Sequence, residues 1–249
     1  MRQLMCKTIH QYAQECCPWK DFRLPKAKIC VAEGVYPPKL DTLLLAEELL
    51  NVVKAGDRVL DVGSGAGTLA VLASIKGAHS VATEIHEASA NCIRHNSILN
   101  SVKVEVRIGY LFKPVRRDER FDIVVCNPPS LPTPPSQKSN RYTARAIDGG
   151  REGRKYLDVL FAQVGAYLNE TGYFLTVHSN FANIEKTVND LQHLGFLVTV
   201  TENEFPIGKT SGQRVEYFLR SLPPNCHPFK KGANWFQRIA VFKARYQGR

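Results

Sequence analysis

The most constraining feature of the sequence is a glycine-rich turn between a short apolar run and a helical segment. Residues 59–67 read Val-Leu-Asp-Val-Gly-Ser-Gly-Ala-Gly. Glycines at a strand-to-helix turn let the backbone approach a ligand closely, and the start of the helix offers unbonded N–H groups. A dinucleotide site wants a small residue where Thr68 stands, and Asp61 would repel a pyrophosphate but attract an ammonium group. The turn therefore predicts a site for a ligand with an amino group.

Short β-like runs alternate with amphipathic helical segments along the chain. The predicted strands cover residues 58–62, 80–84, 102–108, 121–126, 173–178, 196–200 and 235–243. The predicted helices cover residues 41–53, 68–76, 86–99, 157–168 and 184–194, with a weaker one near 4–16. Asp41 or Thr42 is the expected N-cap of the first strong helix. Repeated β–α units imply a parallel sheet with helices on both faces, so we predict a doubly wound α/β fold.

The chain carries an excess of positive charge. Lysine and arginine number 33 and aspartate and glutamate 23, a formal net charge of +10. This excess favours an anionic partner such as RNA, DNA or an acidic protein surface, although a merely basic enzyme is the alternative. The basic residues between 138 and 155 are either a substrate-facing patch or a solvated face.

The cysteines and the hydropathy pattern bear on the compartment. Seven cysteines, an odd number without a Cys-x-x-Cys pair, indicate neither a disulfide framework nor a structural metal site. No apolar stretch approaches the 18 residues that a membrane span needs, and the N-terminus has no long apolar h-region. We therefore expect a reduced cytoplasmic protein with no metal and no membrane association.

The acidic residue followed by Gly-x-Gly-x-Gly resembles the first motif of class I S-adenosylmethionine-dependent methyltransferases. Glu84 ends the next predicted strand, where a carboxylate can accept both ribose hydroxyls of an adenosyl cofactor. The resemblance implies S-adenosylmethionine as cofactor and a Rossmann-like, mostly parallel seven-stranded sheet whose last strand is antiparallel. The acidic residue that the family usually carries near Tyr110 is absent, so adenine is expected to rest on the backbone and Leu111. The predicted cofactor-binding residues are Asp61, Gly63, Ser64, Gly65, Gly67, Glu84, Ile85, Leu111 and Asn127.

The fourth predicted strand runs directly into Asn127-Pro128-Pro129-Ser130. This segment resembles the Asn-Pro-Pro-aromatic motif of methyltransferases that act on amino groups of adenine, guanine or glutamine amides. The lone pair of such a planar nitrogen is delocalised, and the Asn127 side chain and the Pro128 carbonyl can hold the nitrogen facing the sulfonium methyl. We predict Asn127 and Pro128 as catalytic residues. Ser130 replaces the aromatic residue that would stack on the acceptor, unless Tyr36 or Tyr142 supplies the ring.

Two further stretches resemble the HemK/PrmC-type protein glutamine methyltransferases. They are the Pro-rich lead-in at residues 34–42, with its Asp-Thr pair, and the Ala-x-x-Gly-Gly-x-x-Gly segment at residues 146–153. The resemblance implies an N-terminal extension at 1–35 and a methyltransferase domain at 36–249, with a substrate-selecting insertion at 206–234. The predicted substrate-binding residues are Tyr36, Asn127, Pro128, Pro129 and Ser130.

Four functions fit these patterns. The HemK/PrmC resemblance favours methylation of a protein glutamine side chain. The motif at 127–130 together with the positive charge leaves methylation of an RNA or DNA base amino group open. Ser130 and the insertion would suit a small-molecule or natural-product methyltransferase, and a methyltransferase-like binding module is the non-enzymatic alternative. The patterns name neither an oligomeric state nor a partner subunit.

Overall fold

A computed structural model describes residues 4–16, 23–139 and 141–248 of the chain. The strands are β1 (Leu4–Thr8), β2 (Lys28–Ala32), β3 (Arg58–Val62), β4 (His79–Glu84), β5 (Val104–Ile108), β6 (Phe121–Cys126), β7 (Leu168–Ser179), β8 (Phe196–Pro206), β9 (Phe229–Lys231) and β10 (Asn234–Tyr246). The helices are α1 (Ile9–Cys16), α2 (Leu40–Val52), α3 (Thr68–Ile75), α4 (Glu87–Leu99), α5 (Tyr142–Arg145), α6 (Leu157–Val164), α7 (Ile184–His193), α8 (Lys209–Gly212) and α9 (Val215–Ser221).

The central sheet has the strand order β5-β4-β3-β6-β7-β10-β8. β5, β4, β3, β6 and β7 run parallel, while β10 lies antiparallel between β7 and β8. The prediction of a mostly parallel seven-stranded sheet with an antiparallel last strand is therefore confirmed, and the short β9 adds an eighth strand as a hairpin on β10. The chain reverses its direction of winding between β3 and β6, which is where open α/β sheets bind their ligands.

The two faces of the sheet bury separate apolar clusters because side chains alternate along each strand. On β6, Ile123 and Val125 join a cluster with α2 and α3, whereas Val124 joins one with α6 on the opposite face. A strand buried on both faces is mostly apolar. The apolar residues of β3 and β6 fix both strands in the core, and the residues that follow them therefore lie at the carboxyl edge of the sheet.

The N-terminal segment differs from its prediction. Residues 4–8 form a strand and the helix begins only at Ile9, because β1 pairs antiparallel with β2. This pairing sets Cys6 directly opposite Cys30, and the two sulfur atoms form a disulfide. The expectation of no disulfide was wrong for this pair, since residues 24 positions apart in sequence meet only in the hairpin. The imidazole of His95 on α4 lies within 4.8 Å of both sulfurs.

The hairpin and α1 pack against the main domain. Ile9 and Ile29 are completely buried and belong to the same apolar cluster as Leu43 and Leu45 of α2. Asn96 of α4 binds both the N–H and the carbonyl of Cys30 through its side-chain amide. The N-terminal residues thus form one wall of the structure near the start of α2.

The predicted N-cap of α2 was wrong by two to three residues. The helix begins at Leu40 and its N-cap is Lys39, so that Thr42 is the third helical residue. The Thr42 hydroxyl accepts a hydrogen bond from the Lys39 N–H at 3.4 Å, which closes the first turn. Thr42 is consequently a residue of the helix face rather than its cap.

The segment 206–234 contains α8, α9 and β9 and folds over the proline-rich loop that follows β6. The ring of Phe218 stacks on Phe181 at 4.3 Å between ring centroids, inside a small apolar cluster with Leu131. The guanidinium of Arg214 donates to the Pro132 carbonyl and the Thr133 hydroxyl. Among the described residues, no helix is both long and apolar enough to cross a bilayer.

Candidate active site

The first part of the site is a cavity of about 310 Å³ at the carboxyl ends of β3, β4, β5 and β6. Eight of the nine predicted cofactor residues line it, namely Asp61, Gly63, Ser64, Gly65, Glu84, Ile85, Leu111 and Asn127. Gly67 does not line the cavity. A side chain at Gly67 would lie 3.1 Å from Ile93, so this glycine permits α3 to pack close to α4.

The glycine turn has a backbone that other residues rarely adopt. Gly63, Gly65 and Gly67 have φ angles of +70°, +59° and +86°. Neither Gly63 nor Gly65 has an atom within 4 Å of where a Cβ would stand, so backbone conformation rather than space requires glycine there. The turn keeps the cavity open beside the start of α3.

The Asp61 carboxyl is buried at the base of this cavity with 1% of its surface exposed. Its Oδ2 accepts hydrogen bonds from the Ser64 hydroxyl at 2.5 Å and the Ala70 N–H at 3.1 Å. Oδ1 receives no hydrogen bond from the described residues. Burial and, to a smaller extent, the nearby charge of Glu84 raise the pKa of Asp61 to about 7, although the two hydrogen bonds lower it. A cationic group bound at Oδ1 would oppose that rise.

The Glu84 carboxylate organises the opposite wall. Its Oε2 accepts the Gly65 N–H at 2.9 Å, and its Oε1 accepts the N–H groups of Ile85 and His86 at 2.8 and 3.0 Å. The Tyr142 hydroxyl donates to the same Oε1 at 3.1 Å. Glu84 is therefore fixed in orientation by backbone donors, and Tyr142 is the partner that a ligand hydroxyl could replace.

Tyr142 covers the cavity as part of an aromatic pair. Its ring stacks on the His86 imidazole with 3.8 Å between centroids and 15° between planes. Burial, followed by the charge of Glu84, raises the pKa of the Tyr142 hydroxyl, which therefore stays a donor at neutral pH. The sequence suggested Tyr142 only as a ring for the acceptor, whereas the structure places it against Glu84.

The second part of the site is a cavity of about 570 Å³ next to the first. All five predicted substrate residues line it, namely Tyr36, Asn127, Pro128, Pro129 and Ser130. Tyr36, Asn127 and Pro129 line both cavities. Neither Asn127 Oδ1 nor the Pro128 carbonyl receives a hydrogen bond from the described residues. These two hydrogen-bond acceptors belong to neighbouring residues, of which Asn127 lies where the cavities meet and Pro128 lines the second cavity.

The loop at 127–131 is held by the glycine-rich segment at 146–153. Leu131 donates its N–H to the Ile147 carbonyl at 3.0 Å and accepts the Gly149 N–H at 2.9 Å. A Cβ at Gly149 would lie 2.7 Å from the Ser130 backbone, so only glycine allows the two segments to touch. The Gly-Gly-x-x-Gly pattern therefore shapes the second cavity through packing.

Some charged and titratable residues depart from the predictions. Arg154, within the basic stretch 138–155, is buried and paired with Asp158 and Asp190, so it does not face a substrate. His178 lines the second cavity. Burial lowers the pKa of His178 to about 3, and both ring nitrogens are occupied by Ser179 and Thr187. His178 is consequently a neutral structural residue.

The fold and the carboxylate-lined cavity define a class I methyltransferase. A family model for the methyltransferase small domain matches residues 26–143. Human methyltransferase HEMK2 is 33% identical over 194 residues, which are 75% of this chain and 88% of HEMK2. The Methanocaldococcus jannaschii protein MJ0928, named as a candidate protein N5-glutamine methyltransferase, is 33% identical over 175 residues, covering 70% of this chain and 87% of MJ0928. The chain belongs to this HemK-type family of S-adenosylmethionine-dependent methyltransferases.

Other relatives and solved structures agree. The release factor glutamine methyltransferase of Geobacter sulfurreducens is 30% identical over 173 residues, covering 67% of this chain and 60% of that enzyme. The E. cuniculi Mtq2–Trm112 complex has a chain with a TM-score of 0.57 at 15% identity, covering 86% of this chain and 99% of that chain. The T. thermophilus 16S rRNA methyltransferase bound to AdoMet and guanosine gives a TM-score of 0.56 at 16% identity, covering 95% and 50%. These two likenesses establish the fold, and S-adenosylmethionine is the cofactor of the family.

Proposed function

We propose that the protein transfers a methyl group from S-adenosylmethionine to the side-chain amide nitrogen of a protein glutamine. The names of the M. jannaschii and G. sulfurreducens relatives support this acceptor. The observation that carries the proposal is the position of Asn127, whose side chain lines both cavities and whose Oδ1 receives no hydrogen bond from the described residues. A group at this junction can touch an acceptor in one cavity and face a cofactor in the other.

The first cavity suits the cofactor in size and charge. Its volume of about 310 Å³ lies in the range of small-molecule sites. Asp61 Oδ1 would accept the ammonium of the methionine moiety, and Glu84 would accept the ribose hydroxyls once the Tyr142 hydroxyl gives way. Ile85 and Leu111 would pack against the adenine, because both are apolar residues of the cavity wall.

The junction suits an amide acceptor. Asn127 Oδ1 and the Pro128 carbonyl would each accept one N–H hydrogen of the glutamine amide, which holds the nitrogen in one plane facing the methyl group. As the new C–N bond forms, the C–S bond breaks and its electron pair stays on sulfur. Positive charge develops on the nitrogen, both oxygens stabilise it, and one N–H proton then leaves to water.

Ser130 and Tyr36 bear on the choice of acceptor. The serine presents no ring, so the stacking contact of roughly 1–3 kcal/mol that a nucleobase gains on an aromatic residue is absent at this position. Tyr36 lines the junction and is half-buried, and Lys39 Nζ lies 5.0 Å from its ring centroid. Tyr36 would flank the plane of a glutamine amide, which is flat but small and needs less stacking than a purine.

The positive charge supports a second candidate, an amino group on an RNA or DNA base. A net charge of +10 attracts any polyanion in a salt-dependent manner, so binding of RNA at low salt does not separate the candidates. The second cavity, at about 570 Å³, is also wide enough for a base with its flanking groups. A cytoplasmic location stays a prediction.

The decisive experiment follows the methyl group. The protein is incubated with methyl-labelled S-adenosylmethionine and a cell extract at physiological salt, in portions treated with nuclease or with protease. Label that survives nuclease and is lost with protease, and that yields N5-methylglutamine by mass spectrometry, supports the proposal. Label lost with nuclease moves the function to nucleic acids, and label only in small molecules refutes both candidates.

Asn127→Ala tests the roles of the junction in the same assay. We expect this substitution to lower turnover by about 10²–10³ because one oriented contact to the transition state is lost. The affinity for S-adenosylhomocysteine should change only a few-fold. Unchanged turnover would show that Asn127 is a structural residue.

A further inference from the structure

Among the described residues, Thr42 is the one hydrogen-bond partner of the Asn127 side chain. Asn127 Nδ2 donates to Thr42 Oγ1 at 3.0 Å, across 85 residues of sequence. Thr42 lies in the first turn of α2, next to both cavities, and lines the cofactor cavity itself. The contact therefore joins the end of β6 to the start of a helix from the N-terminal part of the chain.

The surroundings of Thr42 determine which end of the Asn127 amide it can bind. Thr42 Oγ1 already accepts the Lys39 N–H at 3.4 Å, and its own proton points to Asp41 Oδ1 at 3.5 Å. The Asp41 carboxylate is held in turn by the Thr42 N–H at 2.8 Å. The hydroxyl thus presents a lone pair, not a proton, to Asn127. A carboxamide that offered Oδ1 to Thr42 would have to compete with the carboxylate for that single proton.

This polarity has a consequence at the junction of the cavities. With Nδ2 bound to Thr42, Oδ1 is the end of the amide that is left to meet an acceptor. A flipped amide would present an N–H donor to the N–H groups of the acceptor, which removes the contact that the transfer needs. An asparagine side chain rotates between both arrangements unless a neighbour distinguishes its oxygen from its nitrogen.

We propose that Thr42, polarised by Asp41, is a positioning residue that holds the Asn127 amide with its oxygen toward the methyl acceptor. The inference rests on the proposed role of Asn127 but not on the chemical class of the acceptor. Thr42 itself touches neither reacting atom, so its loss should appear in the rate of transfer rather than in cofactor affinity.

The test compares Thr42→Val, which keeps the shape and removes the hydroxyl, with Thr42→Ser, which keeps the hydroxyl. Turnover is measured on whichever extract fraction carries the label in the tracing experiment. We expect Thr42→Val to lower kcat by about 10- to 10²-fold, as for a misplaced catalytic group, with KM for the fraction and affinity for S-adenosylhomocysteine within about three-fold. Thr42→Ser should retain kcat within about three-fold.

Thr176→Val is the matched control. Thr176 on β7 is buried beside Cys126 and its hydroxyl has no hydrogen-bond partner among the described residues. Thr176→Val makes the same change of side chain on the strand next to β6, and it should leave kcat unaltered. An equal loss in Thr176→Val and Thr42→Val would mean that the effect is general loosening and would overturn the inference.

A second measurement does not depend on turnover. The side-chain amide signals of Asn127 are identified in a ¹⁵N spectrum as the pair missing from Asn127→Ala. Their exchange with water should accelerate about five-fold in Thr42→Val, as expected for the loss of one hydrogen bond worth about 1 kcal/mol, but not in Thr42→Ser. Unchanged exchange, or full activity of Thr42→Val alongside an inactive Asn127→Ala, overturns the positioning role alone. An active Asn127→Ala overturns the amide clamp and this inference with it.

Discussion

Asp61 predicts a specific pH dependence of cofactor binding. At mildly acidic pH, a carboxyl with a pKa of about 7 is mostly protonated in the free protein. The ammonium of the ligand, however, needs the ionised carboxylate. The ammonium of the homocysteine moiety belongs to a free amino acid and keeps its proton well above neutral pH. Binding requires both charges, so affinity for S-adenosylhomocysteine should rise as Asp61 ionises and level off at a pH above about 7.

The size of the acid limb follows from the populations. At pH 7.4 about 70% of Asp61 is ionised and at pH 5.5 about 3%, whereas the ligand ammonium stays charged at both pH values. The ionised fraction falls about 20-fold, which corresponds to roughly 1.8 kcal/mol of binding free energy. This value is an upper limit that is reached when the bound ligand lowers the pKa of Asp61 below 5.5. At pH 6, binding should release about 0.9 proton for each ligand bound, because Asp61 must ionise.

Calorimetry can measure both quantities. Titrations in buffers with different ionisation enthalpies give the proton release, and a pH series gives the affinity. Asp61→Asn keeps an acceptor for the Ala70 N–H but carries no charge, so its affinity should be lower at pH 7.4 and flat below it. A 20-fold acid limb that persists in Asp61→Asn would refute the reasoning, because the titrating group would then not be Asp61. A flat profile in the unaltered protein would refute the raised pKa itself.

Three further substitutions test the walls of the site. Tyr142→Phe removes a hydroxyl that competes for Glu84, so S-adenosylhomocysteine should bind up to about five-fold tighter, by roughly 1 kcal/mol; weaker binding in calorimetry would show that the hydroxyl contacts the ligand. Gly149→Ala places a Cβ 2.7 Å from the adjoining loop and should destabilise the protein by about 1–3 kcal/mol, which lowers Tm by roughly 2–12 °C. Gly212 has open space around it, so Gly212→Ala should shift Tm by less than about 2 °C. Arg214→Met leaves a buried carbonyl of the proline-rich loop without its donor, at a cost of about 1–2 kcal/mol. KM for the acceptor fraction should therefore rise at least several-fold while cofactor affinity stays unchanged. Equal loss of both would contradict a local role.

The sequence predicted the parts of the molecule that depend on local pattern. The strand at 121–126 has its predicted bounds, because the four consecutive apolar residues 123–126 are buried between the two faces of the sheet. The glycine turn at 63–67 was identified because its left-handed backbone restricts the residue type. The helix predicted at 184–194 covers 184–193 in the structure, since the helical period is read within a few residues.

Contacts between distant segments could not be predicted in this way. The strand at 4–8 exposes most of its side chains and shows no alternation, so only its pairing with residues 28–32 reveals it. The disulfide Cys6–Cys30 depends on that pairing. Thr42 was assigned to the wrong position because a threonine near a helix start is usually its cap, and its actual partner lies 85 residues away.

The two cavities are built by different means, and this difference bears on the choice of acceptor. The cofactor cavity is formed by the ends of four adjacent strands and by glycines whose φ angles permit no substitute, so its shape is tied to the sheet. The acceptor cavity is enclosed by α1, the segment 146–153 and α8, which meet only through tertiary contacts. Insertions and substitutions in those covering segments can alter the acceptor without disturbing Asp61 and Glu84, the carboxylates proposed to hold the cofactor. Asn127 and Thr42 lie at the junction between the two cavities. These two residues would therefore have to keep the same geometry for methyl transfer if the acceptor changed.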